Sequence, residues 1–398
     1  MLLPRSRASW SNLILDMKTR ILVNAISAKK HAGGGFQIAY NFVKETLHHD
    51  EVEWYYLASS DIDEQIGAEF KELRDKRYFV FPTQPDFLHS YWRVRKEVSK
   101  LEQKIKPDLV YSVMAPSYFC FKSLEVMRYA NPWVTHPNKF SISRLSLKQR
   151  IRTFFYCALQ RYLMRKSQFF ETETETAKLG ILRVTGLPNS HVKVIGNVLP
   201  AVYVGMDTTP FPHDEWINVA CVGVPVPHKN IDIIPQLLIE LKKLNINNVR
   251  FHTTIPQDSP MIEKVVERVK LLGMGDNLVN HGRISQQDLG IMYRHCQFCF
   301  LPTLLEVFSA STVEAMYFQL PVVATHFDFN TEVMGDSCLY YAPQNASDAA
   351  RQFAKLINDP QLCQELKQRM QQRLLQYSDY DAHFKEVATF LEGVAKGK

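Results

Sequence analysis

A chain of 398 residues, 46% hydrophobic and 22% charged, has the composition of an ordinary globular protein with room for two or three domains. That balance excludes disorder, collagen and coiled coil, and no run of about 18 apolar residues is present to form a membrane-spanning helix. The formal charge of +6 is mild, and seven cysteines without a regular framework point to a reducing compartment.

Residues 1–16 lack the basic and apolar regions of a signal peptide. The expectation is a poorly structured extension over 1–17, with Met17-Lys-Thr-Arg-Ile-Leu-Val-Asn24 as the functional start. Arg20–Ile26 reads as a strand, followed by a glycine-rich loop and a helix from about Phe36 to Leu47. Further strand patterns fall at Val52–Ala58, Arg77–Phe81, Leu109–Val113, Leu124–Tyr129, Gln168–Glu171 and Val192–Ile195. Ala201–Asp214, with Pro210 and Pro212, reads as a linker. A second series follows, with strands at Asn218–Val222, Val249–Thr253, Leu278–Asn280, Phe298–Leu301 and Val322–Thr325. Helices are expected at Ile231–Leu244, Met261–Leu272, Gln286–His295 and Ser311–Phe318. Phe384, Val387, Phe390, Leu391 and Val394 mark a last amphipathic helix.

This alternation predicts an α/β chain of two Rossmann-like halves, each a parallel sheet covered by helices. The divisions expected are 18–200, a linker at 201–214, a second domain over 215–375, and a C-terminal helix over 376–398 returning to the first domain. Cys296-Gln-Phe-Cys299 is the one CxxC; with no second ligand pair nearby it reads as buried strand rather than a metal or redox site.

Charge is distributed unevenly. From Val126 to Phe170 there is no Asp or Glu, and nine basic residues: Arg128, Lys139, Arg144, Lys148, Arg150, Arg152, Arg161, Arg165 and Lys166. Leu147, Ile151, Phe154, Phe155, Ala158, Leu159, Tyr162 and Leu163 recur there at helical spacing. Two readings stand: a core helix with a solvated basic rim, or a surface for anionic lipid head groups or a phosphorylated substrate.

Gly33-Gly-Gly35 lies between the first strand and its helix, where glycines permit close backbone approach to an anion or simply a tight turn. Ile38 stands where a dinucleotide fingerprint needs its third glycine, which argues against NAD. Glu306 lies on the loop after Phe298–Leu301, and Glu314 lies in the first turns of the next helix. Backbone N–H groups from Val307 to Ala310 would face a ligand phosphate or sugar hydroxyl at that helix start. The spacing of the two says nothing by itself, but at these places Glu314 could accept from a ribose diol and Glu306 could hold donor-sugar hydroxyls.

Glu306-Val-Phe-Ser-Ala-Ser-Thr-Val-Glu314-Ala-Met316, followed by Leu320-Pro-Val-Val-Ala-Thr325, resembles the donor-site motif of family 4 retaining glycosyltransferases of the GT-B fold. Val222-Gly223 with Pro227-His-Lys229-Asn-Ile231 resembles that family's phosphate-binding lysine segment. Asn280-His-Gly282-Arg-Ile284 resembles the loop bordering the nucleotide base. Glu171-Thr-Glu-Thr-Glu-Thr-Ala-Lys178 and Val194-Ile-Gly-Asn197 resemble landmarks near the end of the N-terminal domain. Together these cover roughly residues 20–345.

The resemblance implies two domains facing a central cleft. It implies a nucleotide-diphosphate-sugar donor bound by Gly34, Gly35, Arg283, Ile284, Val307, Phe308, Ser309, Ala310 and Glu314, with Lys229 and Glu306 catalytic and no metal or other cofactor. It further implies hexosyl transfer, with retention, to a glycan acceptor. The basic, aromatic stretch suggests that the acceptor is lipid-linked, at the cytoplasmic face of an anionic membrane, in O-antigen- or capsule-type polysaccharide assembly. Nucleic acid is not an expected partner.

The sequence departs from the family pattern where Val224 replaces the usual Arg, where Val307 and Ser309 replace glycines, and where Phe327-Asp-Phe-Asn330 replaces a glycine pair. The family's N-domain histidine falls nearest Ala130; His136, six residues later, is either on the acceptor side or an ordinary loop histidine. Two other readings remain open, a sugar-nucleotide-binding protein without transfer activity and a nucleic-acid binder.

Overall fold

The computed structural model describes residues 18–30, 34–84, 90–212, 214–377 and 379–397. The expectations for residues 1–17, Met17 included, and for Gly33 lie outside the described residues. The chain forms two parallel sheets. The first comprises β1 (Arg20–Ala25), β2 (Glu53–Ser59), β3 (Tyr78–Phe81), β4 (Leu109–Ser112), β5 (Glu125–Arg128), β6 (Phe169–Thr172) and β7 (Val192–Val194), in the order β3-β2-β1-β4-β5-β6-β7. The second comprises β8 (Ile217–Cys221), β9 (Val249–Thr253), β10 (Leu278–Asn280), β11 (Phe298–Leu301), β12 (Val322–Thr325) and β13 (Leu339–Tyr341), in the order β10-β9-β8-β11-β12-β13.

Both are the doubly wound arrangement expected from the alternating pattern. Its strand order reverses between β1 and β4 in one sheet and between β8 and β11 in the other, and such reversals open a crevice at the strands' carboxyl ends. The chain divides into two compact units. One holds the residues up to Arg128, with Ser167–Phe169 and Ala388 onward; the other holds Tyr129–Lys166 and Phe170–Val387.

In the first unit, Ile21, Leu22 and Val23 of β1 are all fully buried, as a strand covered on both faces requires. Asp61 accepts from the Lys30 amide at 2.6 Å and the Thr83 hydroxyl at 2.7 Å, and Asp63 pairs with Arg74 at 2.6 Å, so this acidic pair serves the fold.

In the second unit the two-residue period of β11 sorts its side chains. Phe298 and Phe300 join the core with Phe251, Leu237 and Phe353, whereas Cys299 and Leu301 join the opposite core with Tyr293, Val313 and Met316. Cys296 and Cys299 are both buried there, and burial pushes both thiols up; all seven cysteines are free. Within 201–214, Tyr203 is buried against this core, while Arg294 pairs with Asp207 at 2.7 Å and covers the Phe211 ring.

The expected helix from Ile231 starts later. Asn230, at φ 55°, separates two 3-10 turns, and the α-helix spans Ile234–Lys243 with Pro235 in its first turn. Left unassigned by sequence pattern were β13 and the helices Asp328–Met334, Ala346–Asn358 and Pro360–Leu374.

The helix Leu147–Met164 forms as its periodicity predicts, opened by Ser146 and Gln149 in a capping box. It is not a core helix presenting the expected apolar stripe inward. Cys157, Gln160, Leu163 and Met164 are buried, whereas Leu147, Ile151, Phe154, Phe155, Leu159 and Tyr162 face solvent. No helix among the described residues is long and apolar enough to cross a membrane.

Candidate functional site

Two loops leave the carboxyl ends of the neighbouring strands β8 and β11. The first, Val222–Asn230, ends in a 3-10 turn over Pro227–Lys229, closed by the left-handed Asn230. The second runs from Pro302 to Ser309 and opens the helix Ala310–Tyr317. Backbone and side chains fasten them together: the Leu304 amide donates to the His228 carbonyl at 2.7 Å, and the Asn230 amide side chain donates to the Pro302 carbonyl at 3.3 Å.

This brings the two predicted catalytic residues into contact. Lys229 Nζ lies 2.7 Å from Glu306 Oε2, and the Thr303 hydroxyl donates to the same oxygen at 3.2 Å. Both side chains remain partly accessible, and Lys229 borders a small cleft also lined by Val222, Ile231, Pro302, Thr303 and Ser309. Ser309 takes the N-cap position of the Ala310 helix without making a side-chain cap. The first N–H groups of that helix are therefore not claimed by a capping side chain and suit an anion. Val307 and Phe308 turn inward, Phe308 packing edge-on to Tyr377 at 5.6 Å, while Ala310 is exposed.

Glu314 is not an open surface carboxylate. It is 4% exposed and accepts from the Tyr293 hydroxyl at 2.7 Å. Burial pushes it up to about 7, although the Tyr293 bond and the Lys229 charge pull the other way. Its carboxyl is thus held well above the ordinary carboxylate range.

His136 also reaches this loop. Its Nε2 lies 2.7 Å from the Glu306 carbonyl, and Thr135 Oγ1 lies 2.8 Å from Nδ1. A carbonyl can only accept, so the ring is held as the Nε2–H tautomer. Burial keeps the imidazole below its ordinary range despite that bond. Asn138 donates to the Leu304 carbonyl at 2.7 Å, and the Trp133 ring meets His228 edge-on. His136 and Asn138 thus grip the two carbonyls flanking Leu305. His228 is pushed down to about 4, chiefly by burial.

Arg283 is exposed and Ile284 half-buried, on the loop after β10 where Gly282 adopts φ 72°. Asn280 braces that loop, accepting from Thr253 at 2.9 Å and donating to the Ile255 carbonyl at 2.8 Å. Gly34 and Gly35 open the helix Gly34–Glu45 in the other unit, where a Cβ on Gly35 would meet Met114 at 3.0 Å.

The comparison with known families bears on the segment that carries this site. Residues 209–373, which hold Lys229, Glu306 and Glu314, match the family described as glycosyl transferases group 1. This segment is similar to the group 1 glycosyl transferases. A curated relative, the MMP alpha-(1->4)-mannosyltransferase of Mycolicibacterium hassiacum, is 21% identical over 206 residues. That match covers 50% of this chain and 49% of the relative, so the chain spans about half the length of the curated relative it matches.

Among solved structures, a glycosyltransferase from Rickettsia africae matches with TM-score 0.72 and 12% identity, covering 96% of this chain and 100% of the other. The sucrose-phosphate synthase of Thermosynechococcus elongatus matches with TM-score 0.71 and 14% identity, covering 96% and 100%. Anabaena HepE in complex with UDP and glucose matches with TM-score 0.67 and 16% identity, covering 94% and 100%. At such identities the likeness establishes the fold alone, the two-sheet GT-B architecture.

Within the matched segment, Val224 is 42% exposed on the β8 loop. The residues that sequence reasoning missed are the braces. Thr325 donates to the Thr303 carbonyl at 2.5 Å and Asn330 to the Thr325 carbonyl at 2.9 Å, holding the Glu306 loop from below. Tyr293, Thr303 and Asn138 likewise carry no spacing signal. They are isolated polar residues in apolar or loop surroundings; burial reveals Tyr293 and Thr303, and the bond to the Leu304 carbonyl reveals the half-buried Asn138.

Proposed function

We propose that this chain transfers a hexosyl group from a nucleotide-diphosphate sugar to a hydroxyl of a glycan acceptor, with retention of configuration. The observation that carries this is the Lys229–Glu306 pair, set beside the uncapped start of the Ala310 helix at the ends of β8 and β11. Loss of the diphosphate requires charge to be stabilised on its terminal phosphate as the sugar gains oxocarbenium character. Lys229 and the N–H groups of Ser309 and Ala310 can supply that stabilisation without a metal. Glu306 holds the donor-sugar hydroxyls, Glu314 supports the ribose end, and Arg283 and Ile284 border the base. Attack from the leaving-group face needs no enzyme nucleophile. His136 serves as a clamp on the Glu306 loop rather than an acceptor-side base, because its Nε2–H is spent on that loop's carbonyl.

The mannosyltransferase relative and the UDP-and-glucose-bound neighbour support a sugar-nucleotide donor. We assign a lipid-linked acceptor at the inner face of the cell membrane, in surface polysaccharide assembly. A second reading, donor binding without transfer, is favoured by Val224, which leaves that loop without the family's second cation. A screen of UDP-, GDP- and ADP-sugars by thermal shift, followed by release of the nucleotide in the presence of a glycan acceptor, tests both. Stabilisation by one donor with turnover supports transfer, stabilisation without turnover supports the second reading, and no response to any donor overturns both.

A further inference from the structure

The helix Leu147–Met164 presents to solvent the residues that its pattern would assign to a core. Leu147 is 74% exposed, Phe155 66%, Phe154 64% and Tyr162 59%. At 100° per residue, Leu147, Ile151, Phe155, Ala158 and Tyr162 fall within an arc of about 80°, roughly opposite the buried Cys157, Gln160 and Met164. Lys148 and Arg152 flank that arc on one side, and Arg150 and Arg161 on the other. No acid occurs anywhere from Val126 to Phe170 to neutralise them. Of the nearby cations, Arg144 is already engaged, paired with Asp232.

We propose that this face is an interfacial anchor for an anionic lipid bilayer. The helix lies in the plane of the head groups, with Phe154, Phe155 and Tyr162 at the acyl boundary and Lys148, Arg150 and Arg152 on lipid phosphates. A contiguous exposed apolar face on a soluble chain marks an interaction surface, and the flanking charge identifies its occupant. A second copy docked on the same face would set these cations against themselves, with no acid to relieve them. Nucleic acid would meet the cations but would leave Leu147 and Ile151 without apolar partners. The proposal deepens the lipid-linked acceptor reading and rests on it for its purpose, while its physical test needs no transfer activity.

The test is co-sedimentation of the full chain with vesicles of phosphatidylcholine and phosphatidylglycerol in equal parts, against phosphatidylcholine alone, at 0.05 M and 0.5 M salt. Each engaged cation is worth about fivefold in partitioning. Lys148→Gln, Arg150→Gln and Arg152→Gln together should therefore weaken binding to anionic vesicles by about 10²-fold. Phe155→Ser with Tyr162→Ser, at exposed positions that leave the buried face intact, should weaken it by tenfold or more, and high salt should release the wild type. The proposal is overturned if the wild type ignores anionic vesicles at low salt, or if both variants bind as well as the wild type. It is equally overturned if Phe155→Ser abolishes a dimer seen by ultracentrifugation without lipid, or if a single-stranded oligonucleotide is bound and vesicles are not. Calorimetric titration of the same proteins with UDP and GDP is the independent readout. A chain that binds vesicles but no donor keeps the anchor and loses the transferase reading, and the reverse result loses only the anchor.

Discussion

Glu306→Gln should tighten the binding of a free nucleoside diphosphate while lowering transfer. In the structure Glu306 pairs with Lys229 Nζ at 2.7 Å, the ammonium group that the proposed function assigns to the diphosphate, so on that function the two anions compete for one cation. At an effective dielectric near 20, unit charges about 4 Å apart attract by about 4 kcal/mol. The side chains are 16% and 20% exposed, and solvent screening with desolvation leaves a fraction of that, about 1–2 kcal/mol. Glutamine keeps the shape and the Thr303 contact but releases the lysine, so UDP or GDP should bind roughly 5- to 30-fold more tightly, since 1.4 kcal/mol is about tenfold. Transfer should fall, because the charge-assisted bond to the donor sugar, worth about 1.5–3 kcal/mol, is lost. Isothermal titration with UDP, GDP and ADP reads the first effect, and nucleotide release reads the second. The double variant with Lys229→Gln must lose the gain. Equal or weaker diphosphate binding in Glu306→Gln would refute the competition and place the diphosphate elsewhere.

Lys229→Ala, with an unchanged circular dichroism spectrum, should lower transfer by about 10²-fold or more, as expected of a group that stabilises a leaving anion. His136→Phe keeps the ring that meets Phe329 but removes the donor to the Glu306 carbonyl. Transfer should fall about tenfold while diphosphate affinity stays within about twofold, a split that steady-state kinetics beside titration would expose. Glu314 has a folded pKa raised to about 7 from 4.5, so the folded state holds the extra proton between those values. Its contribution to stability is therefore most favourable below about pH 4.5 and is lost as pH rises through 7. Glu314→Gln removes that penalty and keeps a partner for Tyr293. Its melting temperature relative to wild type should rise between pH 5 and pH 8, by the equivalent of about 3 kcal/mol at most. A difference that does not change with pH would show that Glu314 is already ordinary in the folded chain.

The strands were legible because buried parallel strands read as short apolar runs. Val249–Thr253, Leu278–Asn280, Phe298–Leu301 and Val322–Thr325 have the bounds their patterns suggest. The meeting of Lys229 and Glu306 was legible only through the resemblance of two motifs 77 residues apart, since no local spacing connects them. The partner of Glu314 was not legible. Tyr293 sits 21 residues upstream on another helix, and a tyrosine among apolar neighbours looks like core until its hydroxyl is seen to be used. Nor does helical period say which way a stripe faces. The Leu147 helix carries apolar groups on both sides, and tertiary packing chose Cys157, Leu163 and Met164. The start of the Ile234 helix was missed because Asn230 tolerates a left-handed backbone that no pattern of hydrophobicity reports.

The pairing of β8 with β11 has a consequence for how the site comes into being. Phe298 lies against Val219 and Cys299 against Ala220, so about 80 residues of chain must be gathered before the two loops meet. Closing so long a loop is entropically costly, and parallel pairings of this separation form slowly. A chain that ends before Phe298 contains Lys229 but neither its partner nor the Ala310 helix. During synthesis, then, Lys229 and Glu306 cannot meet until the chain has passed β11 and the loop that follows it. On the proposed function, diphosphate binding would report that these two loops have met, and a donor that engages only that site would act on the folding equilibrium of the second unit.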